Sequence, residues 1–243
     1  MRHLISAVAL SLFLAIGVDS PALAGEIRIE VRPGLTVRAG DGRLSRHARE
    51  QLRRAEERGW LKELLTDYAA DRASYHPLCD ADAEVELWAE DSEVTSLWFY
   101  RQPLGPLAAY VVVRPGRSFD PDDERTSYPA PVFMRIDGRP VEPGHWGHVW
   151  LPIPPPVRTL LMPGWTLARD ERAEVQSGFV ANLRQGRRAD VEAALNNGET
   201  FSASFNLAGL DEALNLMERK MAESDAVSKD EIEELKKQLA AMD

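Results

Sequence analysis

Two histidines three positions apart, His145 and His148, are the residues of this sequence best suited to binding a metal ion. Imidazoles at this spacing can share Zn²⁺ or Cu²⁺ when the backbone between them is helical. The flanking Gly144 and Gly147 favour a loop or the start of a strand, in which case further ligands such as His76 would have to come from elsewhere. The pair is therefore a candidate metal site, with an aromatic-rich turn as the alternative.

Cys79 is the only cysteine and is a candidate reactive thiol. His76 stands three residues before it, but Pro77 lies between them and disfavours a one-turn helical pairing. A lone exported thiol can also link two chains, or it can be buried and inert, and the pattern favours burial. Because no intramolecular disulfide is available, stability has to come from packing.

Other catalytic signatures are absent from the sequence, which contains no Gly-x-Ser-x-Gly elbow, phosphate-binding glycine loop, His-Glu-x-x-His helix or CxxC pair. The acidic residues of 120–124 lack the glycine and ligand order of a calcium loop, and they favour a solvated loop. A catalytic pair could still hide among the many carboxylates. Enzymatic activity therefore stays open, and the missing motifs favour a non-catalytic protein without a cofactor.

The first 24 residues predict a cleavable export signal. A basic start is followed by an apolar run over 4–18, with Ala22 and Ala24 at the positions that a signal peptidase recognises. The run is shorter than the roughly 20 residues of a membrane helix, so cleavage before Gly25 is favoured over a retained anchor. We expect a soluble periplasmic or secreted protein with no membrane span after the signal is removed.

The formal net charge of −10 bears on the choice of partner. A negative field repels phosphate backbones and anionic lipids, which argues against nucleic acid or a membrane surface. We expect an envelope or extracellular protein partner, or a second copy of this chain. About 219 residues follow the predicted signal, enough for one large or two small domains.

Hydrophobic periodicity predicts helices at both ends of a strand-rich chain. Residues 45–74 have the pattern of one helix or of a helical pair broken near Gly59. Residues 34–42 are rich in turn formers, and Asp137-Gly138 favours a tight hairpin turn. Alternating or β-branched segments predict strands at 26–31, 84–90, 94–101, 107–114, 132–136, 188–195 and 200–206.

Two helices are predicted at the C-terminal end. One starts at Leu210, and the second starts at Ser228, where Glu231 would complete a capping box. The second helix carries an apolar stripe that either packs back on the body or pairs with another copy. This stripe is the candidate interaction surface: Ile232, Leu235, Leu239 and Met242.

The segment 205–214 (FNLAGLDEAL), preceded by the predicted hairpin 188–206, resembles the closing segment of invasion-associated locus B-like proteins. The segment 133–140 (FMRIDGRP) is similar to an internal strand and turn of the same family. The resemblance implies an exported bacterial protein with a β-sandwich-like core. It implies no catalytic residue.

These observations predict an α+β protein whose antiparallel, sandwich-like β core is flanked by an N-terminal helical segment and two C-terminal helices. The predicted divisions are a signal peptide at 1–24, a strand and helical segment at 25–78, a β-rich core at 79–222 and a helical tail at 223–243. The predicted function is a non-catalytic envelope protein that binds or supports another macromolecule. The alternative is a periplasmic metal-dependent or carboxylate-based hydrolase.

Overall fold

The computed structural model describes residues 26–70, 79–80, 82–101, 107–113, 127–129, 132–141, 146–151, 158–164, 167–194 and 200–242. The predicted export signal, His76, His145 and the acidic residues 120–124 lie outside these ranges. The described residues form four helices and twelve strands, and the strands make two antiparallel sheets. None of the helices in these ranges is long and apolar enough to span a membrane.

The strands of the larger sheet come from both halves of the chain. They are β1 (Glu26–Arg32), β2 (Leu35–Gly40), β3 (Ala83–Trp88), β4 (Thr95–Arg101), β5 (Ala108–Val113), β6 (Ser127–Pro129), β9 (Trp146–Leu151) and β10 (Arg158–Pro163). Their order is β1-β2-β3-β4-β5-β10-β9-β6. Neighbours up to β5 follow one another along the chain, and both N-terminal helices lie in the long connection between β2 and β3.

The smaller sheet has four strands: β7 (Val132–Ile136), β8 (Arg139–Val141), β11 (Arg188–Ala194) and β12 (Thr200–Asn206). Their order is β12-β11-β7-β8. The predicted tight turn between β7 and β8 is confirmed, because Asp137 and Gly138 have φ angles of 50° and 76°. A positive φ at both central residues is the requirement of a two-residue hairpin turn with the twist of the strands.

The four helices are α1 (Arg46–Arg58), α2 (Leu61–Ala70), α3 (Arg169–Gln185) and α4 (Leu210–Ala241). The predicted break near Gly59 is confirmed: its φ of 76° ends α1, and its N–H donates to the Ala55 and Glu56 carbonyls. At the other end of α1, the Ser45 hydroxyl accepts from the Ala48 N–H at 3.1 Å. The N-terminal helical segment is thus two helices, the first of which is capped at both ends.

The prediction of two C-terminal helices is wrong, because α4 is continuous over Leu210–Ala241. Ser228, expected to cap a second helix, lies inside α4. Its hydroxyl oxygen is 2.9 Å from the Ser224 carbonyl one turn earlier and 2.9 Å from the Gly42 carbonyl of a neighbouring loop. Donation to either carbonyl satisfies the hydroxyl without ending the helix. The loop approaches so closely that a Cβ at Gly42 would overlap the backbone of Ser224.

Two further elements contradict the expected pattern. β2 occupies the stretch that was expected to be turns, and its Leu35, Val37 and Ala39 are buried. α3 was not predicted at all, because a buried glutamine interrupts its apolar face. Gln176 accepts from the Ala109 N–H at 2.9 Å and donates to the Pro163 carbonyl at 3.0 Å, so it links β5 to β10. A polar residue in a core position is satisfied here by two backbone groups.

One buried cluster joins both sheets to α3 and α4. It includes Val85 and Phe99 of the larger sheet, Phe205 of the smaller sheet, Phe179 of α3 and Leu214 of α4. The predicted combination of helices with antiparallel sheets is confirmed. The predicted domain boundaries separate elements in direct contact, since β2 pairs with β3 across residue 78 and α4 runs through residues 222–223.

Candidate binding surfaces

The predicted metal pair is only partly within the described residues. His148 lies in β9, where its backbone pairs with Leu161 on one side and Tyr128 on the other, so the helical arrangement considered for the pair is not present at His148. Across the described ranges, no three His, Cys, Asp or Glu side chains come together in a way that could hold a metal ion. The site at His145 and His148 therefore stays a prediction.

Cys79 is buried, with 3% of its surface exposed. Its backbone forms an isolated bridge with Leu44, and its side chain lies in a cluster with residues of α1, α2 and α4. Burial raises the pKa of the thiol to about 11, although Ser228 opposes this shift. Burial and the raised pKa favour the inert alternative for this thiol, and the reactive thiol at Cys79 stays a prediction.

The apolar stripe of the C-terminal helix is used within the chain. Ile232 and Leu235 are buried in the cluster that contains Cys79, and Leu239 packs against it. Met242 is the exception, with 44% of its surface exposed. The candidate interaction surface is thus covered by α1 and α2, as in the alternative that the tail packs back on the body.

A polar network fills the face of the larger sheet that is turned away from the main core. Arg38 binds Glu84 at 2.9 Å and lies 3.8 Å from both Glu86 and Glu26. The Trp98 indole N–H donates to Glu84 at 2.8 Å. Burial raises the pKa of Glu84, against the opposing effects of Arg38 and the Trp98 N–H. These groups satisfy one another and resemble a structural network more than a vacant site.

Aromatic side chains continue this face on β4 and β5. The Trp98 ring lies 5.4 Å from Tyr100 and 5.6 Å from Tyr110, centroid to centroid. Val112 and Leu160 complete the buried group. Burial also raises the pKa of Tyr110 to about 12. This part of the face is thus filled by its own side chains.

A cleft of about 780 Å³ separates the β7–β8 hairpin from α3. Phe179 and Ile136 are buried in its floor, and Phe179 packs edge-on against Trp146 with the ring centroids 5.6 Å apart. The hairpin is held in place at its turn, where the Asp137 carboxylate accepts from the backbone N–H groups of Arg187 and Arg188, each at 3.0 Å. The cleft is therefore built on rigid elements.

The outer face of the smaller sheet exposes an aromatic ring. Phe133 of β7 has 68% of its surface exposed, more than any other large hydrophobic residue in the described ranges. Two ion pairs lie around it: Arg135 with Glu192 across strands at 3.4 Å, and Arg188 with Asp190 along β11 at 2.9 Å. We call this surface, formed by Phe133 and these two ion pairs, the Phe133 face.

Comparison with known proteins adds nothing to these surfaces: no family model, no curated protein and no solved structure matches the chain. The resemblance to invasion-associated locus B-like proteins therefore stays a prediction. Functional conclusions have to rest on the open surfaces of this molecule.

Sequence reasoning missed both open surfaces, although each had a local signal. The alternation in β7 places Phe133 and Arg135 on one side and the buried Met134 and Ile136 on the other, so an outward-facing phenylalanine was visible in the pattern. The cleft had a fainter signal in Gly178, a glycine in the interior of α3. Because α3 was not predicted, the sequence did not show that this glycine lies inside a helix.

Proposed function

We propose that this protein is an exported, non-catalytic component of the bacterial cell envelope that binds another protein through the Phe133 face. The observation that carries the proposal is the 68% exposure of Phe133 on a strand whose alternate residues are buried. An exposed aromatic ring costs solvation free energy unless a partner covers it. The predicted export signal and the net charge of −10 support an envelope protein partner over nucleic acid or lipid.

The surroundings of Phe133 fit an interface more than a catalytic site. Protein interfaces concentrate binding energy in a few aromatic or arginine anchors surrounded by polar residues. Here Arg135 and Glu192 neutralise each other beside the ring, and the Ser204 hydroxyl donates to Asp190 at 2.7 Å. A complementary partner would offer an apolar pocket for the ring and polar groups of both signs around it.

The same proposal includes the sandwich arrangement and the family resemblance. Residues of both sheets share one buried cluster, which supports a face-to-face packing of the sheets around it. In that arrangement the outer face of the smaller sheet is directed away from the core. The observed β11–β12 hairpin, followed by Gly209 and α4, agrees with the strand-glycine-helix order in the segment that carries the resemblance.

Site-specific photocrosslinking tests the proposal in cells. A photoreactive phenylalanine analogue at position 133 should give a discrete adduct with one envelope protein, whereas the same analogue at the exposed Ala181 of α3 should not. Phe133→Ala should weaken binding of the purified adduct partner by about 10-fold or more and leave the unfolding midpoint unchanged. N-terminal sequencing should find Gly25 first in the periplasmic or secreted fraction. Equal adducts at both positions, or an intact Met1 in the cytosol, would contradict the proposal.

A further inference from the structure

A glycine in the middle of α3 has no packing reason within the described part of the chain. A Cβ built on Gly178 meets no atom within 4 Å there, whereas a Cβ on Gly186 would overlap the Ile136 side chain. Glycine in a helix interior is less stable than alanine because it loses more backbone entropy on folding. Gly186 is explained by close packing. Gly178 lines the cleft, and its missing side chain leaves the helix backbone open to that space.

The cleft combines an apolar interior with a polar rim. Phe179 and Ile136 form its floor, and the half-buried Val175 and Val141 contribute to its walls. The rim residues are exposed and can donate hydrogen bonds: Arg139, Asn182 and Gln185. A ligand that fits must therefore carry an apolar body and a group that accepts hydrogen bonds.

The positive charge at the rim of the cleft favours a ligand with an anionic group. Among the lining residues that the structure describes, Arg139 is the only cationic one, and no described carboxylate forms an ion pair with it. Asp137, the one acidic residue in the described part of the lining, uses its carboxylate to accept from two backbone N–H groups. The guanidinium of Arg139 thus has no carboxylate counterion among the described residues, and guanidinium pairs well with carboxylate or other oxyanions.

The edge of the sheet argues against a peptide strand as the occupant. β8 is the edge strand beside the cleft, and its central residue is Pro140. Proline has no backbone N–H to donate, so a further strand could not complete a hydrogen-bonded ladder there. The occupant has to be held by side chains, and the volume of about 780 Å³ lies in the range of small-molecule sites.

We propose that this cleft binds a small amphipathic organic anion, with its apolar body against Phe179, Val175 and Val141 and its anionic group beside Arg139. The lining residues within the described ranges include no histidine, cysteine, serine or threonine, so these residue types suit binding rather than nucleophilic catalysis. This ligand site is separate from the protein interface proposed on the Phe133 face.

Fluorescence titration of the full chain tests the site with two probes, anilinonaphthalene sulfonate and decanoate. The sulfonate dye should bind with one site per chain, and decanoate should displace it. Gly178→Leu should weaken dye binding by about 10-fold or more because the side chain enters the cleft, and Ala181→Leu on the exposed side of the same helix should not. Arg139→Gln should weaken decanoate binding by about 10-fold but leave decanol binding nearly unchanged.

Gly178→Ala separates loss of the site from loss of the fold. Alanine should raise the unfolding midpoint by about 2–3 °C while weakening dye binding. Absence of saturable dye binding, or equal dye affinity in Gly178→Leu and Ala181→Leu, would overturn the site. Equal effects of Arg139→Gln on decanoate and decanol would overturn the assignment of an anion. Phe133→Ala should bind the dye as wild type does, so failure of the Phe133 face and failure of the cleft are distinguishable.

Discussion

Single side chains in this protein take their chemistry from burial. From the sequence alone, Cys79 is a candidate for the ordinary reactivity of a free thiol. In the folded chain its side chain lies among apolar residues of three helices. Gln176 shows the opposite case, because a polar amide is buried without penalty once the Ala109 N–H and the Pro163 carbonyl satisfy it. In both cases the neighbours determine whether the group is reactive, structural or costly.

The raised pKa of Cys79 predicts a loss of stability in base. A thiol whose pKa is higher in the folded state ionises first in the unfolded state, so the free energy of unfolding falls as pH rises from 9.0 to about 11. Over this range the free energy of unfolding of the wild type should fall by roughly 2–3 kcal/mol more than that of Cys79→Ala. Urea unfolding at pH 8, 9, 10 and 11 measures the difference. Tyr110 titrates in both proteins, and identical pH profiles for the two would contradict the prediction.

At the scale of elements, α4 connects the two buried clusters of the protein. Its first half packs Leu214 and Met217 into the main core, and its second half packs Ile232 and Leu235 against α1 and α2. A helix of 32 residues is stabilised here along its length by tertiary contacts rather than by its own propensity alone. The N-terminal helices thus depend on the end of the chain.

Removing one apolar contact of the second half tests that dependence. Ile232→Ala should lower the free energy of unfolding by about 2–4 kcal/mol, because it leaves a cavity next to Leu65 and Cys79. It should also speed the reaction of the Cys79 thiol with a disulfide reagent in the native state. Glu233→Ala, one position along on the exposed side, is the matched control and should change neither quantity. An unreactive thiol together with unchanged stability in Ile232→Ala would count against the packing.

For the whole molecule, Arg32 connects the larger sheet to the end of the smaller one. Its guanidinium donates to the Asn206 carbonyl and, at 2.7 Å, to the Ala208 carbonyl. On the same side, the Glu90 N–H donates to the Ser204 carbonyl at 2.8 Å. These bonds join β1 and the loop after β3 to β12 and the turn that starts α4. The two sheets should therefore unfold together.

Arg32→Met tests the connection between the sheets. Loss of the guanidinium leaves the Asn206 and Ala208 carbonyls, and that of the adjacent Pro33, without this donor, and we expect the free energy of unfolding to fall by about 1–3 kcal/mol. Arg28→Met changes the exposed side of the same strand and should cost little. Urea unfolding followed by circular dichroism provides the comparison. If Arg32→Met were as stable as Arg28→Met, the hydrogen bonds of Arg32 would contribute nothing to the free energy of unfolding.

Local sequence was sufficient to predict the elements that are specified by neighbouring residues. Alternation was sufficient for β3 and the β11–β12 hairpin, and β-branched, aromatic or apolar content was sufficient for β4 and β7. Asp137-Gly138 was sufficient for the turn after β7, because φ is a property of neighbouring residues. The break at Gly59 has the same local origin. The sequence also predicted that Phe133 lies in a strand, but it could not predict how much of the side chain is exposed.

Only the tertiary structure decided what covers each face. Ser228 stays helical because the Gly42 carbonyl, 186 positions away, accepts its hydrogen bond, and α3 tolerates Gln176 because two distant strands satisfy the amide. The apolar stripe at Ile232 was predicted as a surface and is buried by α1 and α2. The cleft exists only because the β8 edge lies opposite α3. Periodicity specifies which side of an element is apolar, whereas the partner of that side depends on contacts between residues far apart in the chain.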